Sequence, residues 1–264
     1  MTAPTGADRR SLALPAAVLA IVAVLAVATV MGGSDGDGAE DAPTSPPDAP
    51  TTAPDGAPDV ASDPADVDDE VVVALRALER REEGDPLALG DVDAPLTVVQ
   101  WADFQCPFCR RFAVETEPEL IERYVEPGLL RIEWRDLPLV GQESLTAARA
   151  ARAAAEQGAF WEFHQAVYAQ ELERDAGHLD EEGVVEFAEG IGLDIERFVG
   201  DLEDQALLDR VAEDAGIARE LGITGTPAFL IDGRPLLGGQ PTEVFVDAIE
   251  SLLDDADIDH APAP

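Results

Sequence analysis

Hydrophobic and polar positions divide this chain into three regimes. Residues 12–31 (LALPAAVLAIVAVLAVATVM) run for 20 positions without a charge, behind Arg9 and Arg10. As a helix the run is about 30 Å long, the thickness of a bilayer's hydrocarbon. It predicts a transmembrane anchor over 12–31, with residues 1–11 cytoplasmic because bases precede it and acids follow. Ala26-Val27-Ala28 also fits a small-residue cleavage site, so a removed signal segment is the alternative. Arg9-Arg10-Ser11-Leu12 weakly resembles a twin-arginine export signal. No cysteine follows the run, which excludes lipid attachment there. Either way the rest of the chain is expected outside the cytoplasm. Residues 34–69 then hold 7 prolines and 11 acids, with no base and no aromatic ring. Such a stretch buries too little apolar area to offset its ordering entropy, and it predicts an extended, disordered linker acting as a tether.

The third regime carries every aromatic residue, from Trp101 onward, and places a folded domain over 71–255 with a tail at 256–264. Asp69–Glu82 predicts a lead-in helix. Leu96–Trp101 is a β-branched apolar run of strand length, and a helix is expected from Pro107 to about Tyr124. Leu129–Asp136 alternates Leu130, Ile132 and Trp134 with Arg131, Glu133 and Arg135, the period of a half-buried strand. Residues 143–222 read as helical throughout, with breaks near 158, 177, 192 and 200. Ala228–Asp232 predicts a strand, Gly233 a turn, Pro235–Leu237 a short return strand and Pro241–Leu253 a closing helix. Strands alternating with crossover helices argue for an α/β sheet.

Charge narrows the partners. The chain holds 55 acids against 17 bases, a formal net charge of −38, and every base is arginine. Clustered cations for phosphate are lacking, so nucleic acid and anionic membrane surfaces are poor partners. A biased genome or a high-salt habitat would each produce this composition.

The 2 cysteines stand as Cys106-Pro107-Phe108-Cys109, directly after the strongest predicted strand. Proline is favoured at the first helical position, which makes Cys106 the N-cap. The free N–H groups of Phe108 and Cys109 then point at the Cys106 sulfur, and they and the helix dipole favour a thiolate there. Cys109, one turn in, faces inward. Cys106 therefore suits attack and the mixed disulfide, and Cys109 its resolution through a redox-active Cys106–Cys109 bond. A structural disulfide, half a metal site and unreactive buried thiols are the other readings. The metal reading lacks partners, because His164, His178 and His260 are scattered. Arg110 and Arg111 add positive charge nearby or are solvated surface. His164, among Phe160, Trp161 and Phe163, reads as packing within the helical block. Further on, Gly225-Thr226-Pro227 precedes a strand and suits a tight turn with a cis peptide.

Trp101-Ala-Asp-Phe-Gln-Cys-Pro-Phe-Cys109 followed by Gly225-Thr226-Pro227 resembles the DsbA-like branch of the thioredoxin fold. Asp85–Pro95, Phe160-Trp-Glu-Phe-His164 and GTPAFLIDG at 225–233 are similar to it too. The likeness spans about 83–254. It implies an α/β thioredoxin core, 83–136 plus 224–254, with a helical insertion at about 143–222, preceded here by the transmembrane helix and disordered linker. It implies a cis Pro227 packed beside Cys106, Thr226 placed to tune the thiolate, and Pro107 and Phe108 as support. Relatives often carry a buried acid six residues before the first cysteine. Gln100 stands there, which leaves Asp103 as the nearest carboxylate to relay a proton from Cys109, or else a capping acid.

The expected function is an exported, membrane-tethered thiol–disulfide oxidoreductase that oxidises cysteine pairs of exported polypeptides, with no bound cofactor. The resemblance implies a membrane redox partner that reoxidises the pair, and a monomer is the simplest state. A reductase or isomerase is the alternative within the class. A non-catalytic binding module or metallochaperone is the alternative outside it.

Overall fold

The computed structural model describes residues 67–258. The predicted anchor at 12–31, most of the linker and His260 lie outside the described residues. Among the described residues no helix is long and apolar enough to cross a membrane.

Asp69, which the composition assigned to the linker, opens helix α1 (Asp69–Arg76), and the Asp68 carboxylate caps it by accepting from Glu70 N at 3.0 Å. The helix stops well before Glu82. Arg81 takes φ +44°, and the amides of Arg80 and Arg81 turn to donate to the Glu133 carboxylate at 2.8 and 2.9 Å. A tertiary anion has displaced the helical pattern.

Five strands form one sheet: β1 (Ala88–Leu89), β2 (Leu96–Ala102), β3 (Leu130–Asp136), β4 (Ala228–Ile231) and β5 (Arg234–Leu237), in the order β1-β3-β2-β4-β5. The β2–β3 pair is parallel, from Leu96 opposite Leu130 to Ala102 opposite Asp136, and the other pairs are antiparallel. The β4–β5 turn needs Gly233. Its φ is +80°, and a Cβ there would lie 2.4 Å from the Val72 carbonyl oxygen.

The β2–β3 crossover contains α2 (Pro107–Arg111) and α3 (Glu117–Leu120), joined and followed by π-helical turns at Phe112–Thr116 and Ile121–Val125. Its extent agrees with the expected helix. The first π turn lies just before Pro118, whose ring crowds the carbonyl four residues back and which has no N–H to donate. One sheet face packs Val98, Ile132 and Phe229 against Phe112, Leu120 and Tyr124, and against Phe245 and Ile249 of the closing helix (Thr242–Asp255). The Phe112, Phe229 and Phe245 rings meet at 4.7–5.1 Å. Each such buried ring contributes on the order of 2 kcal/mol.

Between β3 and β4 the chain forms α4 (Gly141–Ala155), α5 (Phe160–Tyr168), α6 (Glu181–Gly190), α7 (Ile195–Leu202) and α8 (Gln205–Glu220); the closing helix is α9. Alanines of α4 let Phe160, Phe163, Val184 and Phe198 approach closely in a second core. Gly158, Gly177 and Gly192 break the helices with positive φ, as expected. Two expectations are corrected: residues 171–180 are not helical, and Gly200 lies inside α7.

Strand β3 is also not half-buried, since all seven of its positions are buried. The alternation separates two covered faces. Arg131 pairs with Glu133, Arg135 with Glu133 and Asp214, and Arg152 of α4 with Asp136 and Asp214. The N-terminal segment and α8 close over charges that satisfy one another, as buried ions must be.

Candidate active site

Strand β2 delivers the chain to a tight loop, Asp103–Cys106, closed by Cys106 N donating to the Asp103 carbonyl at 2.9 Å. Cys106 is in extended conformation at the N-cap of α2 with Pro107 at the first helical position, and Cys109 N donates to Cys106 Sγ at 3.4 Å. Both thiols are free and buried. From across the sheet, the cis Thr226–Pro227 peptide sets the Thr226 carbonyl 3.2 Å from Cys106 Sγ, where it accepts from the protonated thiol.

These neighbours treat the two sulfurs differently. The Cys109 thiol is the strongest contributor in bringing the Cys106 thiol down from 9.0 to about 6. The Thr226 hydroxyl and the N–H groups of Cys109 and Phe108 assist, against the opposing effect of burial. Burial first, and then the same bond to Cys106, push the Cys109 thiol well above 9.0. At neutral pH Cys106 is ionised and Cys109 holds its proton. One sulfur is a nucleophile and good leaving group, and the other is masked until needed.

Phe108, inside the motif, and Leu237, opposite Ala228 on the neighbouring strand, are each 52% exposed. The loop after β5 approaches closely, since a Cβ on Gly239 would stand 3.2 Å from the Phe108 Cβ. Neither arginine figures among the main influences on Cys106. Arg110 donates to the Gln170 carbonyl at 2.9 Å. Arg111 donates to the Gly239 carbonyl at 2.6 Å and lies over the Phe108 ring at 5.3 Å.

Asp103 is 2% exposed, and its carboxylate is filled by four donors. Oδ1 accepts from Gln105 N (2.8 Å) and Ser144 Oγ (2.7 Å), and Oδ2 from Leu139 N (2.6 Å) and Val140 N (2.9 Å). It ties the cysteine loop to the start of α4. Gln100 is fully buried, and neither atom of its amide has a hydrogen-bond partner. His178 lies exposed, away from any cluster. Among the described residues no group of three or more His, Cys, Asp or Glu stands together to hold a metal ion.

Sequence reasoning missed Tyr168, whose hydroxyl donates to the Asp103 carbonyl at 3.0 Å, and Gln105, which bonds Val140, Ser144 and Asp175. It also missed Glu117, buried beside His164. Glu117 follows Glu115 and precedes Glu119, and nothing in that spacing marks it out.

Comparison with known proteins agrees with this architecture. The crystal structure of oxidised BdbD from Bacillus subtilis superposes with a TM-score of 0.60 at 21% identity, covering 65% of this chain and 94% of that one. Over 151 residues the chain is 29% identical to a probable disulfide bond formation protein D of Bacillus anthracis, covering 56% of this chain and 70% of the relative. It is 38% identical over 166 residues to a Na(+)/H(+) antiporter NhaA of Salinispora tropica, covering 62% of this chain. The chain spans only 24% of that antiporter's length. A family model described as thioredoxin matches residues 82–251, and on that match the chain belongs to the thioredoxin family, resembling within it the DsbA-like branch.

Proposed function

We propose that this protein is a thiol–disulfide oxidoreductase that oxidises cysteine pairs of exported polypeptides. The observation that carries the reading is the asymmetry of the pair: an ionised Cys106 at a helix N-terminus, beside the Thr226–Pro227 loop, and a protonated Cys109 buried behind it. A client thiolate attacks the Cys106–Cys109 bond at Cys106 and releases Cys109. A second client thiol attacks the mixed disulfide, forms the client disulfide and expels Cys106 as a thiolate. Two electrons pass to the pair, and no bound cofactor takes part. Stabilising the leaving thiolate stabilises the reduced enzyme, which favours oxidation of the client. Phe108 and Leu237 offer apolar contact to an unfolded client. Pro107 and Pro227 hold the backbone around Cys106. Asp103 acts as a positioning residue between loop and insertion.

The apolar N-terminal run supports an exported location, and the family resemblance supports a membrane partner for turnover. The apolar run 12–31 anchors the domain outside the cytoplasm, the acidic linker gives it reach, and a membrane redox partner reoxidises the pair. The test is the reduction potential of the Cys106–Cys109 couple in the full-length protein, equilibrated against glutathione buffers. A potential well above the glutathione couple supports oxidation of clients. A potential well below it overturns that direction and makes the protein a reductase.

A further inference from the structure

Two charged side chains on the redox motif's own helix are left unused by the exchange steps. Arg110 stands four residues after Cys106 and donates its backbone N–H to the Cys106 carbonyl at 3.0 Å, so the two share a helix face. Arg111 stands three residues after Phe108 and lies over its ring at 5.3 Å. The whole chain carries a formal net charge of −38. Among the described residues neither guanidinium pairs with a carboxylate, whereas those of Arg123, Arg197 and Arg210 all do. Glu115, one turn beyond Arg111, and Glu171, beside Gln170, are exposed and form no ion pair with either.

Carbonyl groups hold both arginines beside the reactive loop. Arg110 Nε donates to the Gln170 carbonyl at 2.9 Å. Gln170 lies just past α5, whose Tyr168 hydroxyl donates to the Asp103 carbonyl, and that same oxygen accepts from Cys106 N. Arg111 reaches the other way. Its Nη2 donates to the Gly239 carbonyl at 2.6 Å, and a Cβ on Gly239 would come within 3.1 Å of that nitrogen, so glycine leaves the guanidinium its place. Gly238 donates its N–H to the Pro227 carbonyl at 3.0 Å, and the Thr226 carbonyl one residue earlier lies 3.2 Å from Cys106 Sγ. Short runs of hydrogen bonds thus tie each side chain to a loop that touches Cys106. A guanidinium has five N–H donors, and each of these uses one on its carbonyl. The rest form a planar fork that fits a carboxylate.

We infer that Arg110 and Arg111 form a recognition pair that favours client polypeptides carrying a carboxylate beside the reactive cysteine. A client sulfur bonded to Cys106 brings its own neighbours, about 3.8 Å apart along the chain, within the span of an arginine side chain. The acidic body repels such a client over about a Debye length. Attraction therefore has to come from side chains in contact, and these two have donors to offer. Complementary charge of this kind sets selectivity and register more than bulk affinity. The inference rests on the exchange function proposed above and names the class of client it serves.

The experiment compares two synthetic dithiol peptides, identical except for Glu or Gln beside each cysteine, as reductants of the oxidised full-length protein. Rates are read from samples quenched and alkylated over time. The ratio of Glu to Gln rates within one protein cancels any effect of a substitution on the thiols themselves. Comparing that ratio between proteins cancels the peptides' own reactivity. From wild type to the double variant Arg110→Gln, Arg111→Gln the ratio should fall about threefold or more, as expected for two exposed ion pairs. Arg110→Lys, Arg111→Lys keeps both charges and should retain most of the ratio. A ratio unmoved by the Gln substitutions, or lowered equally by Gln and Lys, overturns the inference while leaving the exchange function standing. A wild-type protein that oxidises neither peptide overturns the function itself, and the inference with it.

Discussion

Replacing Cys109 by alanine removes the donor that contributes most to holding Cys106 ionised. With the Cys106 thiol brought from 9.0 to about 6, about nine-tenths of it is thiolate at pH 7, against about one-hundredth for an unperturbed thiol. The Cys109 thiol acts ahead of the Thr226 hydroxyl and the two backbone N–H groups. Those remain in Cys109→Ala, so Cys106 should settle between the two limits. A rise of about one unit cuts the thiolate fraction near pH 6 from about half to about one-tenth. The assay is the pH dependence of thiolate absorbance, or of the alkylation rate with iodoacetamide. An unmoved titration would refute the reasoning and assign the whole shift to the helix terminus and Thr226. A stability consequence has the same sign. The folded value is depressed, so the ionised thiol's contribution to the reduced fold is absent below about pH 6. It grows as pH rises toward the unfolded value near 9.0 and is complete above it. The urea midpoint of the reduced protein should therefore rise relative to Cys106→Ala across that window.

Other variants probe the surroundings. Asp103→Ala strands the donors of Gln105, Leu139, Val140 and Ser144, and chemical denaturation should show a loss of about 3 kcal/mol or more. Asp103→Asn should slow resolution of mixed disulfides by shifting the loop, and an unchanged rate confines Asp103 to stability. Phe108→Ala, at a half-exposed position, should leave stability within about 0.5 kcal/mol while raising KM for an unfolded client more than it changes kcat. Glu117→Gln should stabilise the fold increasingly with pH. The buried carboxyl is raised from 4.5 to about 8, so its protonated contribution is complete below 4.5 and lost as pH rises through about 8. Melting temperatures at about pH 5 and about pH 8.5 check the sign.

What was legible in the sequence was local. Cys106-Pro107-Phe108-Cys109 carries its own geometry, because a proline at the first helical position fixes which sulfur caps the helix. The Thr226–Pro227 turn was legible in its own residues, but its place beside Cys106, 120 residues away, came only through family likeness, since local pattern does not encode what packs across a sheet. The charges of β3 misled for the same reason. Arg131, Glu133 and Arg135 alternate as a solvent face would, but their cover arrives from Arg80, Arg81 and Asp214. Asp103 was weighed as a relay or a cap from its nearness to Cys106, and the four donors that fill it come from residues 105, 139, 140 and 144. Glu117 looked like one surface acid among several until the fold set it against His164.

The central claim is that Cys106 exchanges disulfides with client proteins and Cys109 resolves them. Trapping tests it most directly. Full-length Cys109→Ser is mixed with an unfolded, cysteine-containing polypeptide carrying a thiol-activating disulfide, and the products are separated without reductant. The account predicts a covalent adduct through Cys106 that accumulates and dissolves on adding dithiothreitol, and no adduct with Cys106→Ser. A Cys109→Ser protein that forms no such adduct, or a Cys106→Ser protein that forms it equally well, would contradict the account.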